Sequence, residues 1–319
     1  MSRVLAPPPR EPVEPLAAPP TFSIVIPAYQ AAATIGDGIR SALGQVHQPR
    51  EIIVVDDGST DDLERALAPF DDRVTLIRKE NGGGASALNA GATAASGEFM
   101  VILDADDAYH PRRLEALANL AVSRPDLDLV TTDARFVVKG KGVGSFVASN
   151  PFPLEDQRTA ILQSCFVGGW PAMRLARLRT IGGFDESFPI AYDWDCWARF
   201  ILGGAQVGLV DEPYYDYRLH SGSLTASRVS SLWYRVRLLE KVKLNPALEP
   251  AERPVLMRSL RMHRTRAVLA ETQAALFDSG PRNRLLGFAT SRGIEARARM
   301  IAALALAAPP LARRLVPKD

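Results

Sequence analysis

An α/β domain with a mostly parallel sheet flanked by helices is what the chain predicts, on three observations. Short apolar, β-branched runs alternate with segments whose apolar residues recur every three or four positions, the marks of strands and of one-sided helices. The runs are continuous rather than alternating, as strands covered on both faces require. They follow one another at the spacing of strand–helix–strand crossovers, which lay neighbouring strands parallel.

The elements read in order from Phe22. Phe22 to Ile26 is a first strand, closed by Pro27, whose missing N–H a strand interior does not tolerate. Ile35, Ile39, Leu43 and Val46 mark one helix face. Glu51 to Val55 is a β-branched second strand, Leu63 to Phe70 a helix and Arg73 to Ile77 a third strand. Ala85 to Ala95 is an alanine-rich helix, Phe99 to Leu103 a fourth strand, and Pro111 opens a helix to Val122 with proline in its first turn. Beyond residue 125 the pattern loosens. Leu127 to Thr131, Arg135 to Val138 and Tyr214 to Leu219 read as strands. Residues 140–153 read as a loop or hairpin, with helices at Leu154 to Leu162 and Asp193 to Leu202. Residues 228–308 read as mostly helical and rich in Arg, Leu and Ala.

Three segments follow: a Pro-rich tail over residues 1–20, a main domain over 21–225 that divides near 125, and a helical region over 226–319. The tail carries Pro7, Pro8, Pro9, Pro12, Pro15, Pro19 and Pro20 and few large apolar side chains, so it reads as disordered or polyproline-like. It has no signal-peptide core, and no apolar run is long enough to span a bilayer; Met300 to Ala312 is short and broken by Pro309 and Pro310. Of the 319 residues 47% are hydrophobic and 23% charged, which excludes wholesale disorder. A net charge of +2 gives no footprint for nucleic acid. Two cysteines, Cys165 and Cys196, are too few for a disulfide framework and fit a reduced, cytoplasmic protein.

Ligands of open parallel sheets bind beyond the carboxyl ends of the strands. Two acidic clusters stand there: Asp56-Asp57-Gly58-Ser59 after the second strand and Asp104-Ala105-Asp106-Asp107 after the fourth. Each alone also reads as a turn or a solvated loop. Carboxylates gathered in one crevice repel one another unless a cation sits among them, and hard oxygen donors suit Mg²⁺ or Mn²⁺ with a substrate phosphate completing the shell. The exit of the first strand, Pro27-Ala28-Tyr29-Gln30, has neither the glycines of a dinucleotide fingerprint nor a P-loop. Tyr29 offers instead an aromatic face suited to stacking on a base, unless it is an ordinary half-buried tyrosine.

In order and spacing, several motifs resemble the family 2 glycosyltransferases of the GT-A fold. They are Ser23 to Tyr29, Ile53 to Asp61, Asn81-Gly82-Gly83-Gly84, Leu103 to Asp107, Ile181 to Glu186, Asp193-Trp194-Asp195 and Tyr217 to His220, together spanning about residues 22–225. The resemblance implies an inverting enzyme that moves a sugar from a nucleoside-diphosphate donor, UDP-linked by preference, to a saccharide, lipid-linked or small-molecule acceptor. It places Tyr29, Pro27 and Asp57 at the base, Asp104 at the ribose, Asp106 at a Mn²⁺ or Mg²⁺ ion on the diphosphate, with His220 near the metal and Asn89 among the nucleotide contacts. Asp193 corresponds to the catalytic base; its other reading is a helix N-cap. Trp170, Trp194 and Asp195 are acceptor candidates, with core packing as the other reading of Trp170 and a structural role that of Asp195. Tyr192 stands where the family often has Glu, Leu88 where it often has Arg, and Gln30 where it usually has Asn. A sugar-nucleotide pyrophosphorylase would need a Gly-rich basic loop after the first strand, which is missing; a catalytically silent nucleotide-binding or scaffold protein would not need both acidic pairs.

From residue 281 onward eight basic residues face Glu295 and Asp319 only. This stretch reads either as packed helices with a solvated basic face or as a peripheral contact with an anionic membrane surface.

Overall fold

The computed structural model describes residues 2–12, 14–219, 228–277 and 283–316. The chain divides into two compact units, residues 1–221 and 222–319. The first is built on one sheet. Its strands are β1 (Val4–Leu5), β2 (Phe22–Ala28), β3 (Glu51–Asp56), β4 (Thr75–Arg78), β5 (Phe99–Ile102), β6 (Ala108–Tyr109), β7 (Leu129–Val138), β8 (Lys141–Ser145), β9 (Ala172–Arg174) and β10 (Val207–Arg218). They lie in the order β1-β10-β7-β9-β5-β2-β3-β4, with β6 on β10 and β8 on β7.

The expected parallel core is present: β2 runs parallel to both β3 and β5, and β3 to β4. Four strands therefore end at one edge, where the acidic clusters follow them. The helices α1 (Ile35–Leu43), α2 (Leu63–Leu67), α3 (Gly84–Ala94) and α4 (Arg113–Ser123) make the crossovers. Ile35 and Ile39 of α1, with Leu114 and Leu117 of α4, pack onto Phe22, Ile24, Ile26, Phe99 and Val101. Each such side chain, fully buried, contributes about 1.5–3 kcal/mol. On the other face α3 sits so close to β2 that a Cβ on Gly91 would collide with Val25.

Three expectations need correction. Pro27 lies inside β2, opposite Val55 of β3. The β5 ladder has already ended at Val25, so the missing N–H falls where no strand needs it. Leu127 to Thr131 and Arg135 to Val138 form one strand, β7, pairing along its length with β10. The Pro-rich segment, expected to be disordered, is anchored: Val4 and Leu5 pair with Val210 and Leu209, Arg124 donates to the Pro7 carbonyl, and the Leu16 N–H donates to Val122. Proline leaves the backbone carbonyls free to accept, and they find donors on the edge of the fold.

Between the parallel core and the β7–β10 pair stands β9, antiparallel to both β5 and β7. The remaining helices of this unit are α5 (Phe146–Ser149), α6 (Gln157–Ile161), α7 (Leu175–Thr180) and α8 (Tyr192–Leu202). The hairpin expected in 140–153 is β7–β8, turned at Lys139-Gly140 with φ of 49° and 76°.

The second unit is helical: α9 (Arg228–Val242), α10 (Arg253–Phe277), α11 (Leu285–Thr290), α12 (Ala296–Ala307) and α13 (Pro309–Leu315). Its core gathers Val268, Leu276, Leu285, Phe288, Ile294, Ala298, Ala302 and Ala312, with Trp233 stacked on Phe288 at 5.7 Å. Among the described residues no helix is long and apolar enough to cross a membrane.

Candidate active site

The loops after β2 and β3 are tied together at the sheet edge. Gln30, held at φ 52°, accepts from the Thr60 and Asp61 N–H groups through Oε1 and donates to Thr60 Oγ1. Its longer carboxamide, in place of the family's Asn, thus closes one loop on the other. Beside it the Tyr29 ring is 55% exposed, an open aromatic face at the crevice mouth. Pro27 precedes it at the end of β2.

Asp57 is buried, and its carboxylate accepts three hydrogen bonds from the neighbouring loop. Its Oδ1 accepts from Lys79 Nζ at 2.7 Å and from the Gly82 N–H at 3.0 Å, and its Oδ2 from the Gly83 N–H at 2.7 Å. Its backbone carbonyl accepts from Asn81. This carboxylate fastens the glycine loop that opens α3. Lys79 escaped the sequence reading, although it directly follows the third strand, where functional residues of such sheets collect.

At the end of α3's first residue the wall turns to α8. A Cβ on Gly84 would stand 2.8 Å from the Tyr192 hydroxyl. Tyr192 opens α8 after Ala191, which takes a left-handed φ of 65°, so Asp193 lies in the first turn of the helix and is not its N-cap. Its carboxylate faces Gly169, whose Cβ position is 3.8 Å from Asp193 Oδ2. An acidic side chain in a first helical turn meets the positive end of the macrodipole.

Asp104 joins these elements. Burial, and then the negative charges of Asp106 and Asp193, push its carboxyl well above the usual carboxylate range. The Tyr192 phenol is raised by burial and by Asp104 and Asp193. Asp104, Asp106, Tyr192 and Asp193 thus lie near enough for their charges to act on one another, and Tyr192 stands against Gly84, next to the glycines that Asp57 holds. Asp107, which the sequence reading left without a role, is buried beneath. It accepts from the Tyr215 hydroxyl at 2.8 Å and the Arg218 N–H at 2.7 Å, and burial and Asp104 push its carboxyl up.

A divalent cation fits this donor set in a limited way. Among the described residues no group of three or more His, Cys, Asp or Glu side chains is arranged to hold a metal. Two adjacent carboxylates that repel each other, completed by diphosphate oxygens, are nonetheless how Mg²⁺ and Mn²⁺ are usually held. His220 lies outside the described residues.

Four of the candidate contacts have partners within the fold. Asn89 directs its carboxamide at the turn after α7, accepting from the Phe184 N–H and donating to the Phe184 carbonyl and to Glu186. It thereby fastens that turn to α3. Trp170 is buried, donates to the Thr132 carbonyl and stacks on Tyr215 at 4.9 Å. Trp194 is buried and donates to Ile161. Asp195 is buried and paired with Arg199 at 2.8 Å one helical turn on. Spacing on α8 explains the last two, since Asp193 faces the crevice while its neighbours turn into the core.

The comparisons with known proteins agree with this geometry. The model of the family described as Glycosyl transferase family 2 matches residues 23–182. An uncharacterised glycosyltransferase of Rickettsia typhi is 30% identical over 229 residues, 67% of this chain and 68% of the relative. The glycosyltransferase GlyG of Streptococcus pneumoniae is 28% identical over 229 residues, 67% of this chain and 76% of GlyG. Among solved structures, S. aureus TarS in complex with UDP-GlcNAc has a TM-score of 0.63 at 20% identity, over 93% of this chain and 90% of that one. The mannosyltransferase PcManGT of Pyrobaculum calidifontis, in complex with GDP-Man and Mn²⁺, has a TM-score of 0.59 at 23% identity, over 96% and 87%. These structural likenesses establish the fold. The chain is a glycosyltransferase of family 2 with the GT-A architecture.

Proposed function

We propose that the enzyme is inverting, and that it transfers a sugar from a nucleoside diphosphate, UDP by preference, to a hydroxyl of a saccharide, lipid-linked or small-molecule acceptor. What supports this reading is that Asp104 follows β5 and feels the charges of both Asp106 and Asp193, while Tyr29, at the end of the neighbouring β2, is exposed. Tyr29 stacks on the base, Pro27 shapes the pocket beneath it, Asp57 receives the ring N–H, and Asp104 meets the ribose. Asp106 is the residue that would hold Mn²⁺ or Mg²⁺. When bound, that ion supplies charge neutralisation to the departing diphosphate.

Asp193 is the base. The acceptor oxygen attacks the anomeric carbon from the face opposite the nucleoside diphosphate. The new carbon–oxygen bond forms as the bond to the diphosphate oxygen breaks, and Asp193 takes the hydroxyl proton. Such a positioned base contributes about 10²–10⁴ in rate. With only two cysteines, Cys165 and Cys196, the chain has too few for a disulfide framework, which supports a reducing compartment such as the cytoplasm.

The test is turnover of a panel of UDP- and GDP-sugars with Mn²⁺ present, followed by NMR of the product's anomeric proton. Inversion is expected. Retention would overturn the single displacement, and loss of all donor turnover would favour a silent binding protein.

A further inference from the structure

Helix α12 is apolar on both of its faces. Ala298, Ile301, Ala302 and Ala305 are buried in the second unit's core. The opposite face, Ala296, Met300, Ala303 and Ala307, is exposed, with Leu306 on one flank. A helix hydrophobic all round is normally covered all round. The helices packed against α12 also expose apolar side chains: Leu286 of α11 is 66% exposed and Leu311 of α13 46%, beside Met300 at 49% and Leu306 at 42% on α12 itself. The structure turns Ile301 and three alanines inward and leaves a second apolar stripe outside.

Charge identifies what that stripe meets. Residues 283–316 contain six arginines and one acid, Glu295. Three arginines have structural duties: Arg313 donates to the Leu276 carbonyl, Arg284 pairs with Glu271, and Arg299 is half-buried. Arg292, Arg297 and Arg314 are exposed. Arg297 borders the outer stripe on α12 and Arg314 follows Leu311 by one turn on α13. A second copy of the chain would bring arginines against arginines, which repel. An anionic lipid surface accepts both parts, since the apolar side chains enter the acyl boundary while guanidiniums reach the phosphates.

We infer that the outer face of α12, with Leu286 and Leu311, docks on a membrane surface bearing anionic phospholipid. This surface belongs to the second unit and the candidate active site to the first, and its test does not depend on turnover. The full-length chain is to be floated with vesicles of pure phosphatidylcholine and of phosphatidylcholine and phosphatidylglycerol in equal parts. Binding is expected to the second only and to fall as salt is raised, because surface charge is screened. Each basic residue near such a surface is worth about a factor of five, so Arg297→Ala with Arg314→Ala lowers partitioning on the order of twentyfold. Met300→Glu with Leu311→Glu abolishes it, whereas Leu244→Glu, at an exposed position on the 228–252 side of the unit, leaves it unchanged.

Equal binding by wild type and the double arginine variant would overturn the proposal, as would salt-independent binding or none. Light scattering supplies the remaining outcome: a dimer that Met300→Glu converts to monomer would make this stripe a self-association surface instead.

Discussion

Arg113 lies stacked against Tyr215, its guanidinium carbon 4.8 Å from the ring centre, with Tyr109 at 4.4 Å from the same carbon. Both are fully buried. Arg113 donates to the Trp170 carbonyl, and its Nε and Nη1 find no acceptor among the described residues. Tyr215 passes the arrangement upward: its hydroxyl donates to Asp107 and receives the Asp104 N–H at 3.3 Å. A cation held by ring faces thus sits directly under the acidic loop.

Tyr215→Phe keeps the stack and removes the hydroxyl, leaving Asp107 short of a donor. Loss of one buried hydrogen bond to a carboxylate costs about 1–3 kcal/mol, measurable by urea denaturation. Turnover is expected to fall more than tenfold, because the Asp104 backbone loses its anchor. Unchanged stability and activity would remove Tyr215 from the support of the site.

Asp193→Asn is expected to lower turnover by about 10²–10⁴ while nucleotide affinity, measured by calorimetry with Mn²⁺, stays within a few-fold. Asp106→Ala should show the reverse emphasis, with metal-dependent nucleotide binding lost first. The two variants separate proton removal from donor capture.

Lys79→Met withdraws the ammonium from a buried carboxylate. Asp57 then keeps two amide donors without a counter-charge, a loss of about 1.5–3 kcal/mol. The glycine loop loosens, so nucleotide affinity should drop while Asp193-dependent chemistry on bound donor persists. Thermal unfolding with and without UDP checks both parts.

Gly91→Ala drives a methyl into Val25 where α3 crosses β2. Overpacking of this kind costs about 1–3 kcal/mol. Pairing it with Val25→Ala should recover part of the loss, whereas additive destabilisation in the double variant would show that the collision is not the cause.

Glu51 gives an acid-side signature. Burial alone would raise its carboxyl, but hydrogen bonds from Ser23 Oγ, the Ser96 N–H and Ser96 Oγ outweigh that and hold it below the usual glutamate value. The folded value lies under the unfolded one of about 4.3, so the contribution is present above that pH and disappears as pH falls through the folded value. Glu51→Gln is expected to cost about 1 kcal/mol at pH 7, with the difference from wild type closing below about pH 4.

Much of this was legible in the residues. Ile24, Ile53 and Val101 stand in unbroken apolar runs because their strands are covered on both faces, and Asp104 and Asp193 belong to ordered motifs. Side-chain direction was not legible. Trp170 and Trp194 look like sugar platforms by type, yet their indole N–H groups reach the Thr132 and Ile161 carbonyls inside the core. The partners of Asn89 and Asp195, Phe184 and Arg199, are likewise chosen by packing and by helical turn. The anchoring of Val4 and Leu5 depends on an edge strand some two hundred residues away, which composition does not reveal.

Strand β9 carries a consequence for how the enzyme admits its substrates. By pairing with β5 on one side and β7 on the other, it welds the donor half of the first unit to the half that carries the later strands. No seam of free backbone separates them, so the two cannot swing apart like jaws without breaking a ladder of hydrogen bonds. Entry and exit fall to the connecting segments above the sheet, and a change of sugar preference is to be sought in those segments, not in the angle between halves.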